Sequence, residues 1–443
     1  MSDRTIRRQP AETGVSGWEA IAPRRFPPRV LDSALRADWL IVGAGFGGLS
    51  AARRLRQLRP ADSIVVLDAQ EVAIGASGRN SGFMIDVPHN LTSGNYSVGG
   101  AASSLLEISQ NRMAIAFASE IAREYGMPAE TFDPSGKINA AATERGLRLN
   151  RGFADSLRQI GEPSETLDAA QMREITGSGY YLGGVYTPGA VMIQPADYIR
   201  RLAQGLAGEI DLFENSPVLS LARKGQVWEA VSRRGSVQAP RVILAVNGHV
   251  ESFGHFRRRL IHVYTYASMS AAFPAGQGGA DRWALLPADP MGATLRKITR
   301  DGRSRIVIRT HFTYNPDIRV SERQVARIAA QERRSFDERF PALKDVPMEF
   351  SWAGALCLST NHTPAFGEIE PGLYSACCEN GLGTVKSTLA GMMAAELATG
   401  TSSEPLRQFR RQPQPGRLPP RPIAWLGINA VIRWHQLRAG REG

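Results

Sequence analysis

The sequence predicts an α/β fold, mixed α+β in overall character, with a parallel-sheet unit first and strand-rich segments after it. Three observations predict it: a strand, helix, strand rhythm between Asp38 and Asp68, a glycine cluster at the first turn of that unit, and later strands with period-two alternation. At 443 residues the chain can hold two or three structural units, consecutive or interleaved. No run of about 18 or more apolar residues occurs; the most hydrophobic early stretch, Leu40 to Ala52, is broken by Gly43, Gly45, Gly47 and Gly48.

Residues 1–37 hold Pro10, Pro23, Pro27, Pro28 and two Arg pairs, so they read as an irregular arm lying on a domain. The pairs Arg7-Arg8 and Arg24-Arg25 resemble a twin-arginine export signal, but Phe26-Pro27-Pro28-Arg29 stands where an uninterrupted apolar region should follow, which favours a basic surface arm. The first strand is Asp38 to Val42, followed by a helix from about Gly48 to Leu58 and a strand from Ser63 to Asp68. A mostly helical stretch covers about Ala101 to Tyr125. Strands are expected around 184–186, 218–221, 227–232, 241–246, 260–272 and 306–312. In Ile261 to Ala267 the alternation puts Tyr264, Tyr266 and His262 on one face, which could line a pocket. A solvated helix spans 321–340, and a last strand and helix run from about Leu373 to Thr399. Beyond a proline-rich stretch at 412–421, residues 423–434 read as a short amphipathic helix. It could lie on a membrane surface or dock on the chain's own body.

The net charge of +11 is unevenly placed. Residues 1–37 carry +3 and 405–443 carry +7, which leaves 38–404 near +1 and argues against a nucleic-acid partner. Only five of the 53 basic residues are lysines, so the arginine content reflects a general preference rather than a site. The three cysteines, Cys357, Cys377 and Cys378, include an adjacent pair, which argues against a disulfide framework and fits a reducing, cytoplasmic setting. No metal-ligand spacing is expected.

Gly43-Ala44-Gly45-Phe46-Gly47-Gly48 fits G-x-G-x-x-G directly after a strand and at the opening of a helix. The first glycine allows the tight turn, the second lets the backbone approach a pyrophosphate, and the third lets helix and strand pack closely. Asp68 ends the second strand 20 residues after Gly48, where its carboxylate can accept hydrogen bonds from ribose hydroxyls; Ala69 follows it. Together these mark a Rossmann-like dinucleotide-binding unit. The polar loop Gly75-Ala76-Ser77-Gly78-Arg79-Asn80-Ser81-Gly82 behind the acidic strand end could offer backbone N–H groups and one Arg to phosphates and a flavin ring.

With this loop the chain resembles the D-amino-acid oxidase superfamily of FAD enzymes, the group that includes glycine oxidase, sarcosine oxidase, D-amino-acid dehydrogenase and γ-glutamylputrescine oxidoreductase. The loop is most similar to that of the last. Further marks follow in order: Ile193 to Tyr198, Ser216-Pro217-Val218, Val242 to Gly248 with Asn247 at its turn, and Gly372 to Tyr374 leading to Asn380-Gly381-Leu382-Gly383-Thr384. The resemblance covers about Asp38 to Gly400. It implies an FAD-binding domain (38–95, 186–255 and 350–404) interleaved with a mixed-sheet substrate domain (96–185 and 256–349), with 405–443 as a basic tail. By the same resemblance the backbone of Val218 touches the adenine, and the helix after Gly383 points at the flavin C2 carbonyl.

The resemblance further implies oxidation of a C–N bond by hydride transfer to flavin N5, followed by hydrolysis of the imine, on a secondary amine, an opine-like conjugate or a polyamine derivative. Oxygen, a quinone or another carrier would take the electrons. Arg296 and Arg309 are candidates for holding a substrate carboxylate, since a guanidinium binds one in bidentate fashion, although both could simply occupy strand edges. Tyr264 and Tyr266 could close the pocket or pack in the core; His311 could share the Arg309 face or be structural. Lys386 stands one position after the lysine that sarcosine-oxidase-like enzymes keep near flavin N5 for oxygen activation. Ala355, not Cys357, falls at the position where some relatives attach flavin, so noncovalent FAD is expected. Two other readings remain open: tRNA-base modification by a flavin enzyme, and a flavin-binding regulatory protein without turnover.

Overall fold

A computed structural model describes residues 4–88 and 101–443, with side chains from residue 104 onward in the second segment. The expected domain boundary at 95/96 lies outside the described residues. The expected parallel unit is present. Strands Trp39–Val42 and Ile64–Leu67, joined by helix Phe46–Leu58, lie parallel in a six-stranded sheet ordered 211–213, 64–67, 39–42, 241–244, 373–377, 365–370. Its first five strands are parallel and only 365–370 runs antiparallel. Both faces of this sheet are covered, so its strands are apolar throughout instead of alternating: Trp-Leu-Ile-Val and Ile-Val-Val-Leu are buried at every position. Ile41, Val66 and Ile243 face the core shared with helices Phe46–Leu58 and Gly383–Thr399, while Leu40, Val65 and Val242 face a five-stranded sheet that carries Trp228 and Val237.

A nine-stranded mixed sheet forms the second body, with order 348–358, 261–270, 303–314, 294–300, 283–287, 137–141, 183–187, 165–168; strand Phe273–Pro274 pairs off this path. Met348–Leu358, expected with the dinucleotide unit, hydrogen-bonds along Ile261–Ser270 at the edge of this sheet. Helix Glu322–Arg339, expected to be solvated, buries Val325, Ile328, Glu332 and Phe336. Tyr264 and Tyr266 pack beneath it with Ile318, Val325, Ile328 and Ala353.

The N-terminal arm is pinned along its length. Arg4–Thr5 pairs with Ser220–Leu221, the Ile6 amide donates to the Leu219 carbonyl at 2.7 Å, Ser16 Oγ donates to the Gly78 carbonyl at 3.0 Å, and Trp18 Nε1 donates to the Asn80 carbonyl at 2.9 Å. The C-terminal helix is longer than expected, Arg421–Ala439, and buries only Ala424 and Ala439. Among the described residues no helix is long and apolar enough to cross a membrane, and no cluster of metal-ligating side chains occurs.

Candidate active site

One groove runs between the two bodies, in two lobes that share Gly45, Ser77, Ala245, Asn247 and Ala355. With their open mouths the lobes hold about 1260 and 1050 Å³ of atom-free space. The smaller lobe sits at the glycine turn. Gly43 has φ +103°, and a Cβ there would come within 2.5 Å of the Ala245 carbonyl oxygen; a Cβ at Gly48 would collide with the carbonyl oxygen of Gly43. Asp68 closes the turn by accepting hydrogen bonds from the amides of Ala44 (2.7 Å) and Gln70 (2.9 Å), while burial raises its pKa. Ala69, Val218 and Gly248 line this lobe, and so do Ile6, Arg8, Gln9, Pro10 and Glu12 of the arm. Gln9 Nε2 donates to the Val218 carbonyl at 3.0 Å. Glu12 Oε2, Asn247 Oδ1 and His249 Nδ1 are buried there without a hydrogen-bond partner, and His249 is pushed down to about 4 by burial, so it is neutral.

The larger lobe receives two helix amino ends. Gly45, Phe46 and Gly47 open helix 46–58, and Gly381, Leu382, Gly383 and Thr384 open helix 383–399. Each end supplies unpaired N–H groups and a positive dipole. Ala76, Ser77, Asn80 and Ser81 form one wall, with Ser77 Oγ accepting from the Phe46 amide at 3.1 Å. Gly78 and Gly82 shape the loop from behind without lining the lobe, since a Cβ at either would strike backbone. Arg79 turns away. Its guanidinium is 1% exposed and donates to the carbonyls of Ile74 (2.7 Å), Thr13 (3.1 Å), Ala353 and Gly14, with Glu12 3.5 Å off, so it fastens arm to loop instead of reaching a phosphate or flavin.

Of the substrate candidates, only Arg309 lines the groove. Its Nη2 donates to Thr294 Oγ1 at 2.8 Å and its guanidinium lies 5.0 Å from the Phe312 ring centroid. A bulge decides this arrangement. In the ladder with Ile261–Ser270, Thr310 pairs with Tyr266 and Phe312 with Thr265, which leaves His311 unpaired at φ +49°. The extra residue restores Arg309 and Phe312 to one face and sends His311 elsewhere, where it bonds Thr310 Oγ1 at 2.7 Å and burial lowers its pKa. His311 therefore does not share the Arg309 face. Tyr264 and Tyr266 do not line the pocket either; Thr265 between them does, and of the expected face only His262 reaches the groove, bonded to Glu251 at 2.7 Å. Arg296 is 3% exposed, donates to the carbonyls of Gly82 (2.8 Å) and Ile193, and stacks over Trp18. Burial pushes it down to about 9, and its role is to hold the polar loop. Lys386 leaves the groove to pair with Glu107 at 2.6 Å.

The family profile described as DAO, FAD dependent oxidoreductase, matches residues 38–397. The chain belongs to this family. It is an FAD-dependent oxidoreductase. It is 28% identical over 386 residues to a probable oxidoreductase OrdL of Haemophilus influenzae, covering 85% of each chain. It is 24% identical to the γ-glutamylputrescine oxidoreductase of Escherichia coli, over 87% of this chain and 89% of that one. In fold it matches the glycine oxidase of Geobacillus kaustophilus with a TM-score of 0.68 at 20% identity, over 84% of this chain and 96% of that chain.

The residues present fit FAD. The glycine turn leaves room for a pyrophosphate at a helix amino end, and two buried polar atoms of the smaller lobe, Asn247 Oδ1 and His249 Nδ1, have no hydrogen-bond partner and suit a polar ligand. Asp68 and Val218 line the smaller lobe, while Gly381 to Thr384 with Ala76, Ser77, Asn80 and Ser81 line the larger one. Sequence reasoning missed the arm, which carries no motif, and Glu379, which lines the larger lobe with a pKa pushed up to about 7 by burial. Its place immediately before Asn380-Gly381 was the available signal.

Proposed function

We propose that this enzyme oxidises the C–N bond of a small amine or amino acid that carries a carboxylate. The observation that carries the reading is Arg309, a guanidinium braced by Thr294 and Phe312 at the end of the groove where Gly383 and Asn80 stand. Bound FAD would supply the redox chemistry, acceptance of a hydride from the carbon that bears nitrogen. Arg309 binds the carboxylate and fixes which carbon faces inward. Leu286, Pro287, Pro290 and Phe312 exclude water around it, which strengthens that charge interaction. The amino end of helix 383–399 lends positive potential to the larger lobe and would favour the negative charge of a reduced flavin held there. The imine released then hydrolyses in water. Relatives named for glycine and for γ-glutamylputrescine support a nitrogen-bearing substrate.

The flavin is held without a covalent bond: Ala355 offers no nucleophile, and burial raises the Cys357 thiol well above its ordinary value. Acid precipitation should leave a colourless pellet and a yellow supernatant. The deciding experiment adds amines, D- and L-amino acids, N-methyl amino acids and opines without oxygen and follows the flavin band near about 450 nm, which a bound flavin contributes. Bleaching by carboxylate-bearing amines is expected. Bleaching only by amines without a carboxylate would overturn the role of Arg309, and a flavoprotein that no amine reduces would overturn the reading.

A further inference from the structure

Helix Arg421–Ala439 rests on the nine-stranded sheet through a narrow inner edge, with Ala424 and Ala439 buried and Gln436 Nε2 donating to the Phe312 carbonyl at 3.0 Å. At about 100° per residue, Ile423, Leu426, Ala430, Trp434 and Leu437 fall on the opposite side, facing solvent. Exposure agrees: Ile423 is 61% exposed, Leu426 64%, Trp434 64% and Leu437 81%, and off the stripe Trp425 and Val431 are exposed at 52% and 57%. These six are more than half of the large hydrophobic side chains exposed among the described residues. A soluble surface seldom carries so continuous an apolar stripe without a partner. Arg433 and Arg438 flank the stripe, Arg421 at the start of the helix pairs with Asp317 at 3.5 Å, and no acidic residue lies within the helix.

We propose that this helix docks the enzyme on an anionic lipid bilayer, lying flat with the Ile423/Leu426/Trp434/Leu437 stripe in the acyl boundary and its arginines on headgroup phosphates. Three observations choose this occupant. Residues 405–443 carry +7 of the chain's +11, and the only acid there, Glu442, is buried against Ala142 and Thr143, so the segment's own exposed charge is positive, even with Arg407 paired to Glu404 and Arg421 to Asp317. Two copies meeting through this face would bring like charges together, whereas anionic lipid neutralises them. The helix is also held at both ends: Leu418 N donates to the Arg258 carbonyl at 2.7 Å, and Arg339 donates to the carbonyls of Glu442 (3.1 Å) and Gly443 (2.8 Å). It is thus presented as a rigid rib with its apolar side outward, suited to a broad flat partner. Arginine stems on such a helix reach up to headgroups while the apolar residues sink.

The test uses the full chain loaded with FAD, sedimented with vesicles of phosphatidylcholine alone or with about one third phosphatidylglycerol, the anionic lipid supplying the surface potential. Wild type should co-sediment with anionic vesicles, release at high salt, and ignore neutral ones. The double variant Leu426→Glu/Trp434→Glu should lose roughly tenfold or more of that binding while keeping its flavin spectrum and turnover in solution. Arg433→Glu/Arg438→Glu should weaken binding to anionic vesicles alone. Equal partitioning of wild type and Leu426→Glu/Trp434→Glu would overturn the proposal. So would a dimer in solution that this variant splits, since the stripe would then belong to a second copy.

Discussion

On the proposed reading, substrate choice turns on Arg309, which lines the groove with Nη2 donating to Thr294 Oγ1. Arg309→Ala should lower kcat/KM for a carboxylate-bearing amine by about 10- to 100-fold, mostly through KM, as loss of one charged hydrogen-bonding partner implies. Amines without a carboxylate should be affected far less. The flavin spectrum should not change. Glu332 makes a separate prediction behind the same strand. It is 1% exposed, accepts hydrogen bonds from Ser268 Oγ (2.6 Å) and the Thr310 amide (3.1 Å), and burial still pushes it up to about 8 from near 4.5. A raised folded-state pKa means the carboxyl favours folding fully below about 4.5, and that contribution is lost as pH rises through about 8. A shift of this size corresponds to at most about 5 kcal/mol at one group. Glu332→Gln should therefore gain stability relative to wild type between pH 5.5 and 8.5, read by denaturant unfolding. A constant difference across that range would count against this account.

Among the elements, the arm departs furthest from its appearance in sequence. It starts in the five-stranded sheet, lines the smaller lobe with residues between Ile6 and Glu12, and reaches the polar loop through Ser16 and Trp18, so it walls that lobe. Deleting residues 4–12 should speed FAD release by about 10- to 100-fold, the worth of one or two lost hydrogen bonds and an opened wall. Stopped-flow flavin fluorescence would measure it, and an unchanged release rate would show that the arm only covers the protein. The bulge at His311 acts on the same principle within a strand, since one extra residue decides which side chains reach the groove.

At the scale of the whole molecule, electrons taken from the substrate must pass on to an acceptor. Lys386 is tied to Glu107 and does not line the groove, so it is not placed to activate oxygen. Lys386→Met should change reoxidation of the reduced enzyme by air less than about twofold, and a soluble quinone should reoxidise wild type faster than air does. Fast air reoxidation lost in Lys386→Met would reverse this. The sequence by itself determined the parallel unit, the glycine turn, Asp68, the residue 75–82 loop and the family, because those features are local: strand, turn and helix are contiguous, and their chemistry is spelled in neighbouring residues. Tertiary structure alone decided what faces the groove. Arg296 and Arg309 lie 13 positions apart on adjacent strands and look alike in sequence, yet one is buried under backbone carbonyls and the other is exposed to the cleft. Tyr264 lost its expected role to Thr265, and Arg79 was drawn off by an arm more than sixty residues away. Period-two alternation shows that a strand has two faces, but which face meets the cofactor depends on what packs against the other, and that partner is distant in the chain.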